Sequence, residues 1–218
     1  MLDRIKSFGI DNGYFTFDRV TEVSDKTCFC NELKIIDFDK TNDKITEEAN
    51  QNKRSSCDGL NLENSIDFIE FKSFKKVKIK FNDKEDLNKK EKRFITKIKT
   101  SLPDKIESSI WVFEYILGHK NFLATKKEKE EYRNTTKNYY LVVDVDLTKN
   151  SKETLVAKLN GLTLPSSLYD NLIIEVKSVL DDVDKYIKIS KPKLISCENL
   201  ETDLTHPSKV TIPDKPFD

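Results

Sequence analysis

The alternation of apolar and polar residues predicts a β-hairpin that turns near Asn64 and leads into a central strand. Residues 66–71 are apolar on both faces, which is typical of a strand covered on both sides. The residues around Asn64 are polar and carry the turn signal. If the chain turns there, Asp58 lies directly opposite Glu70, at a Cβ separation of roughly 4.5–5.5 Å. Glu70 and Lys72 share one face of the second strand because side chains alternate along a strand.

Three later stretches also carry strand-like patterns. Residues 76–81 alternate strictly, which predicts a third strand directly after the hairpin. Residues 139–146 are apolar on both faces up to Asp144, and Asp144 and Asp146 end this predicted strand, where they either cap the strand end or bind a metal. Residues 172–177 fit either a strand or the start of a helix.

Helical periodicity is clearest after Pro103, where apolar residues spaced four, three and four apart predict an amphipathic helix packed on the core. These residues are Ile106, Ile110, Phe113 and Leu117. Residues 83–101 predict a separate helix before it, since Pro is common in the first turn of a helix. Shorter helices are predicted over residues 45–51, with Thr46 as the cap, and over residues 151–160.

Together these elements predict an α/β fold with a mixed central sheet flanked by helices on both faces. A chain of 218 residues can bury a sizeable core, and we expect a single domain over residues 1–190. Beyond Pro192 the chain is polar with scattered Pro, so residues 191–218 are predicted to form a C-terminal extension or tail.

Charge is unevenly distributed along a chain whose formal net charge is zero. Residues 72–99 contain twelve Lys or Arg against four Asp or Glu, an excess of eight positive charges. The neutral total argues against a protein that binds nucleic acid through overall basicity, whereas the basic block predicts local phosphate contacts. The predicted nucleic-acid-binding residues are Lys76, Lys78 and Lys80. A solvated face is the alternative for this block.

Cysteine and histidine usage argues against thiol and imidazole chemistry. Cys28 and Cys30 are too close for a usual disulfide and lack zinc spacing, so ordinary reduced thiols are predicted. Two His in the whole chain leave little material for Ser-His or Cys-His catalysis. No apolar run approaches the roughly 18 residues of a membrane span, and no apolar leader is seen, so we expect a cytoplasmic protein without membrane contact.

Two carboxylates that face each other across a hairpin could bind one Mg²⁺, with a lysine beside them. The pattern Asp58…Glu70-x-Lys72 resembles the PD-(D/E)xK nuclease superfamily, in which an Asp begins the second strand of a hairpin and an acidic-x-Lys triplet lies on the next strand. The resemblance covers residues 45–118, and Cys57 stands where the motif has Pro. Two other Glu-x-Lys triplets occur, but neither follows an Asp across a short turn.

The resemblance implies a restriction-endonuclease-like fold and a metal-dependent nuclease, more often acting on DNA, with a role in restriction or phage defence. It implies that Asp58, Glu70 and Lys72 are catalytic and that Asp58 and Glu70 bind Mg²⁺ or Mn²⁺. In that superfamily the helix before the hairpin often donates a further Glu, which here would be Glu47 or Glu48. Nucleic acid is the implied partner, and a protein partner or a homodimer is compatible with it.

The rival interpretation is a non-catalytic nuclease-fold protein that serves as a binding or complex-assembly subunit. Geometry distinguishes the two. An active site requires the carboxylates of Asp58 and Glu70 to converge in a groove with Lys72 within reach. A Glu70 that faces the apolar core and pairs with a lysine favours the binding subunit instead.

Overall fold

The computed structural model of the protein describes residues 1–29, 32–78, 84–147, 169–183 and 189–205. These residues form a six-stranded mixed sheet whose strands lie side by side in chain order. The strands are β1 (Phe17–Arg19), β2 (Lys34–Asp37), β3 (Gly59–Asn61), β4 (Ile66–Lys72), β5 (Lys137–Val143) and β6 (Lys193–Ser196). The first four strands pair antiparallel, whereas β5 and β6 run parallel to β4. The predicted α/β class with a mixed sheet is confirmed.

Helices cover both faces of this sheet. Within the described residues they are α1 (Leu2–Asp11), α2 (Val20–Val23), α3 (Phe38–Glu48), α4 (Phe74–Lys78), α5 (Lys84–Gly118), α6 (Lys126–Asn134), α7 (Asp170–Val183) and α8 (Leu200–Thr205), with a 3₁₀ turn at Cys197–Asn199. The larger core lies on one face, where α1, α3, α5 and α7 contribute buried side chains. The smaller core lies on the other face, beneath α2 and α8. Double coverage explains why β4 and β5 are apolar on both faces.

The hairpin between β3 and β4 has the predicted register. Gly59 pairs with Ile69 and Asn61 with Asp67, so the turn is centred on residue 64. The local alternation of side chains was therefore sufficient to predict this part of the sheet. Asp58 precedes β3 and departs from this register, because its backbone N–H donates to the carbonyl of Ile69, the residue that pairs with Gly59. Its carboxylate nevertheless lies beside Glu70, where it accepts the backbone N–H of Phe71.

The predicted third strand over residues 76–81 is wrong for the residues that the structure describes. Phe74–Lys78 forms the short helix α4, and Lys80 lies outside the described residues. The carboxylate of Asp144 accepts hydrogen bonds from the backbone N–H groups of Phe74, at 2.8 Å, and Lys75, at 3.2 Å, and from the hydroxyl of Ser73. This cap comes from the end of β5, some seventy residues away, so local alternation could not reveal it. Asp144 therefore caps the N-terminus of α4, whereas the capping interpretation had assigned it to the end of its own strand.

Helix α5 is continuous through Pro103, although two helices were predicted. Proline removes one backbone hydrogen bond, which normally ends or kinks a helix. Here Ile98, Leu102 and Ile106 are all buried in the larger core on both sides of Pro103. Burial along one face thus holds the two predicted helices in line.

Other predicted elements shift in position. Of the predicted helix over residues 45–51, only residues 45–48 are helical, as the end of the longer α3, which is capped by Asp37. The hydroxyl of Thr46 donates to the carbonyl of Asn42 within that helix. Residues 172–177 lie in α7, so the helical alternative is correct. The predicted helix over residues 151–160 lies outside the described residues.

Part of the predicted C-terminal extension, residues 191–218, belongs to the folded domain. Strand β6, at Lys193–Ser196, pairs with β5, and α8 adds Leu200 and Leu204 to the smaller core. A boundary at residue 190 would therefore cut the sheet itself. The sequence pattern did not predict this strand because β6 is only four residues long and lies in a polar stretch.

A disulfide joins Cys28 to Cys197, with a Cα–Cα distance of 5.4 Å, so the prediction of reduced thiols is wrong for this pair. Cys57 is a buried free thiol, and Cys30 lies outside the described residues. The spacing argument considered near neighbours and missed a partner 169 residues away. Among the helices in the described ranges, none combines the length and the apolar character that a membrane span requires.

Candidate functional site

The β3–β4 hairpin holds Asp58 against the strand that carries Glu70. The backbone N–H of Asp58 donates to the carbonyl of Ile69 at 2.9 Å. Its Oδ2 accepts the backbone N–H of Phe71 at 2.7 Å. Two hydrogen bonds on either side of Glu70 thus fix the Asp58 carboxylate beside it.

Glu70 is buried in the sheet and fully paired. Its side chain is 1% exposed, and both carboxylate oxygens accept from Nζ of Lys105 at 2.8 Å. Nζ of Lys72, on the same face of β4, also contacts Oε1 of Glu70. A buried carboxylate is stable only when paired and hydrogen-bonded, and the two lysines meet that requirement.

Lys105 joins the two carboxylates. Its Nζ lies 3.9 Å from Oδ1 of Asp58 while bonding both oxygens of Glu70. The side chains of Asp58, Lys72 and Lys105 remain 21%, 27% and 17% exposed, respectively, so the cluster meets solvent at one edge. The carboxylates of Asp58 and Glu70 therefore converge on one cation, with Lys72 within reach.

Sequence reasoning missed Lys105, although a signal for it was present. It lies on α5 beside Leu102 and Ile106, within the stripe of buried residues. A lysine on the buried side of an amphipathic helix requires a partner. One turn later, the hydroxyl of Ser109 accepts the backbone N–H of Cys57 at 3.0 Å, which ties the start of the hairpin to the same side of α5.

The electrostatics of the cluster follow from its burial. Burial, reinforced by the negative charge of Glu70, raises the pKa of Asp58 to about 7, against the opposing effects of Lys105, the Phe71 N–H bond and Lys72. For Lys105, burial lowers the pKa, but the carboxylates of Glu70 and Asp58 outweigh this, so its pKa is raised. Lys105 is therefore a firmly protonated ammonium, while Asp58 titrates near neutral pH.

Among the acids of α3, Asp39 is the one that Lys105 influences electrostatically, whereas the predicted candidates Glu47 and Glu48 lie at the far end of the helix. Asp39 lies in the first turn of α3, and its Oδ1 accepts from the hydroxyl of Ser56 at 3.2 Å. Burial raises the pKa of Asp39, and Lys105 is the first of the influences that lower it. Glu48 is nine residues along the helix, about 13 Å away, where it bonds Tyr14 and His119. Glu47 is exposed.

Of the three predicted nucleic-acid-binding lysines, only Lys76 has a described side chain. The side chain of Lys76 is 63% exposed on α4, with Nζ 3.5 Å from a carboxylate oxygen of Asp25. Lys78 ends α4, and Lys80 lies outside the described residues. A second group of cations is exposed on the solvent side of α5, opposite Ile98, and consists of Lys89, Lys92, Arg93, Lys97 and Lys99.

The chain matches no family model, no curated protein and no solved structure. The chemistry of this protein is therefore inferred from the residues of the cluster. Across the described ranges, no three His, Cys, Asp or Glu side chains are gathered as a metal site. Asp58 and Glu70 are a pair of hard oxygen donors, and Mg²⁺ is usually held by one or two carboxylates together with waters and substrate phosphates. The pair fits such an ion.

Proposed function

We propose that this protein is a metal-dependent nuclease of restriction-endonuclease-like fold that acts on DNA. The observation that carries the proposal is the arrangement of Asp58, Glu70 and Lys72. Asp58 directly precedes β3, which pairs antiparallel with both β2 and β4, and its carboxylate lies beside Glu70 on β4, with Lys72 two residues further on. The strand order supports it as well, since the hairpin is followed by α5 and a parallel strand.

Asp58 and Glu70 would hold the metal, with the carbonyl of Phe71 as a further oxygen ligand. Their ability to share a cation is supported by the ammonium of Lys105, which contacts both carboxylates. When bound, Mg²⁺ or Mn²⁺ would polarise the scissile phosphate and lower the pKa of a water.

The other residues would bind and orient the substrate. Lys72 lies at the exposed edge of the cluster, where its ammonium would orient the attacking water and stabilise the charge that develops on the phosphate. Lys76 lies four residues later, on α4, and would contact the backbone of the nucleic acid. The part in restriction or phage defence rests on the resemblance alone.

The proposal is tested by a cleavage assay on single- and double-stranded DNA and RNA with Mg²⁺ or Mn²⁺. We expect cleavage that EDTA abolishes and that Asp58→Asn or Glu70→Gln lowers at least about 100-fold, since each removes a metal ligand. Lys72→Met should lower turnover while leaving Mn²⁺ binding intact. Glu107→Gln, at an exposed position on α5, is the matched control and should cut like wild type. A folded wild-type protein that cuts none of these substrates contradicts the proposal.

A second function is favoured by one observation. Glu70 is almost completely buried and paired with Lys105, as expected of a carboxylate kept for structure in a non-catalytic binding subunit. In that case Glu70→Gln would destabilise the fold, and neither the variant nor wild type would bind Mn²⁺. Failure of wild type to bind Mn²⁺, with its fold verified by circular dichroism, decides for the binding subunit.

A further inference from the structure

We propose that Lys105 is an internal counter-ion that holds the place of the metal between Asp58 and Glu70, and that it moves to Asp39 when a divalent cation binds. This inference rests on the proposed function, because it assumes that the two carboxylates bind a metal. It adds a residue from α5 that the nuclease motif does not contain.

The ammonium of Lys105 lies between the two carboxylates. Its Nζ lies 2.8 Å from each oxygen of Glu70 and 3.9 Å from Oδ1 of Asp58, so one ammonium is shared by carboxylates from two neighbouring chain segments. A Mg²⁺ ion bound to both carboxylates at about 2.0–2.1 Å would occupy this same space. The ammonium and the metal therefore exclude each other.

The charges of the cluster are balanced without a metal. Two carboxylates, Asp58 and Glu70, face two ammoniums, Lys72 and Lys105. A divalent cation added to this arrangement would leave two excess positive charges in a cluster that is screened only at its edge. Lys72 shares β4 with Glu70 and serves the exposed side. Lys105 reaches in from a separate helix on a flexible four-carbon stem, so it is the ammonium that can leave.

Asp39 supplies the place to which Lys105 moves. It belongs to α3, which packs against α5, and its carboxylate accepts a hydrogen bond from the hydroxyl of Ser56. Lys105 already acts electrostatically on Asp39, and the neighbouring Asp37 adds negative charge there. In the proposed exchange, Lys105 rotates about its side-chain torsions toward Asp39 while α3 and α5 keep their places.

The test is calorimetric titration of the full chain with Mn²⁺. Lys105→Met keeps the length of the stem and removes the charge, and we expect it to bind Mn²⁺ at least about 10-fold more tightly than wild type. Lys105→Gln is the second variant, for use if the Met variant does not fold. Lys99→Gln, an exposed lysine on the same helix, is the matched control and should bind as wild type does. Asp39→Asn should weaken binding about threefold or more in wild type and have no effect in the Lys105→Met background.

The outcomes separate the two proposals. If neither wild type nor the folded Lys105 variants bind Mn²⁺, the proposed metal site itself fails. If wild type binds and Lys105→Met binds equally or more weakly, the counter-ion role is wrong while the metal site stands. If Asp39→Asn has the same effect in both backgrounds, Asp39 does not receive the ammonium. Binding that appears only after Lys105 is replaced would show that the ammonium fills the metal position without leaving it, which overturns the proposed exchange.

Discussion

At the scale of single residues, Asp58 is the candidate ligand whose pKa is raised, chiefly by burial. It is opposed by Glu70 across the hairpin and is only partly compensated by Lys105 and Lys72. Its carboxyl therefore changes charge close to neutral pH. A metal competes with that proton, so the cluster should serve as a metal site mainly above pH 7.

The titration of Asp58 predicts a specific dependence of stability on pH. Its pKa is about 7 in the folded protein and about 3.9 in an unfolded chain. Between these values the folded protein keeps a proton that the unfolded chain has lost. The free energy of unfolding therefore falls as pH rises from 4 to 7, by up to about 4 kcal/mol, and levels off above pH 7.

Urea unfolding in EDTA at pH 5, 6, 7 and 8 measures this effect. Asp58→Asn is uncharged at each pH and should lack this contribution, so the stability of wild type relative to the variant should decline with pH. Curves that stay parallel from pH 5 to 8 would show that Asp58 ionises normally in the fold.

At the scale of elements, the sequence predicted a helix or strand correctly where the contacts that stabilise it lie within a short segment. The register of β3 and β4 and the buried strand β5 could be predicted, because side-chain alternation within a short segment determines them. Helix α4 could not, because its cap comes from Asp144 in β5. The position of Lys105 on the buried side of α5 indicated that it needs a partner, but that partner, Glu70, lies in another element and could not be read from the helix. Pattern analysis thus found the two carboxylates but not the cation between them.

The cap on α4 gives a prediction for Asp144. Asp144→Ala removes the acceptor for two backbone N–H groups and the hydroxyl of Ser73. Loss of a helix cap costs about 1 kcal/mol, so chemical denaturation should show a decrease of that size. Asp144→Asn keeps an acceptor oxygen and should lose less. Mn²⁺ affinity should be unchanged in both variants, and a large loss of affinity would instead make Asp144 a metal ligand.

At the scale of the whole molecule, the disulfide ties the N-terminal part of the chain to its last described elements. Cys28 follows α2, and Cys197 follows the edge strand β6, so the bond closes the smaller core. Disulfides persist in oxidising compartments and are rare in the cytosol, so this bond argues against the predicted cytoplasmic location. That location stays a prediction.

Peptide mapping under non-reducing conditions, with free thiols alkylated first, should recover Cys28 linked to Cys197 and Cys57 alkylated only after unfolding. Reduction should lower the free energy of unfolding by about 2–5 kcal/mol, as is typical for a natural disulfide that closes a long loop. A Cys28→Ser variant should show the same loss and become insensitive to reductant. Recovery of Cys28 as a free thiol from protein purified without reductant would contradict this pairing.

The central claim is that Asp58 and Glu70 form one metal site, and titration of the metal-free protein with Mn²⁺ at pH 8 tests it most directly. Asp58 is ionised at that pH, so proton competition is removed. We expect one Mn²⁺ per wild-type chain, and loss of binding in both Asp58→Asn and Glu70→Gln, with Glu107→Gln as the unchanged control. Absence of binding to folded wild type, or binding that survives both substitutions, would contradict the claim.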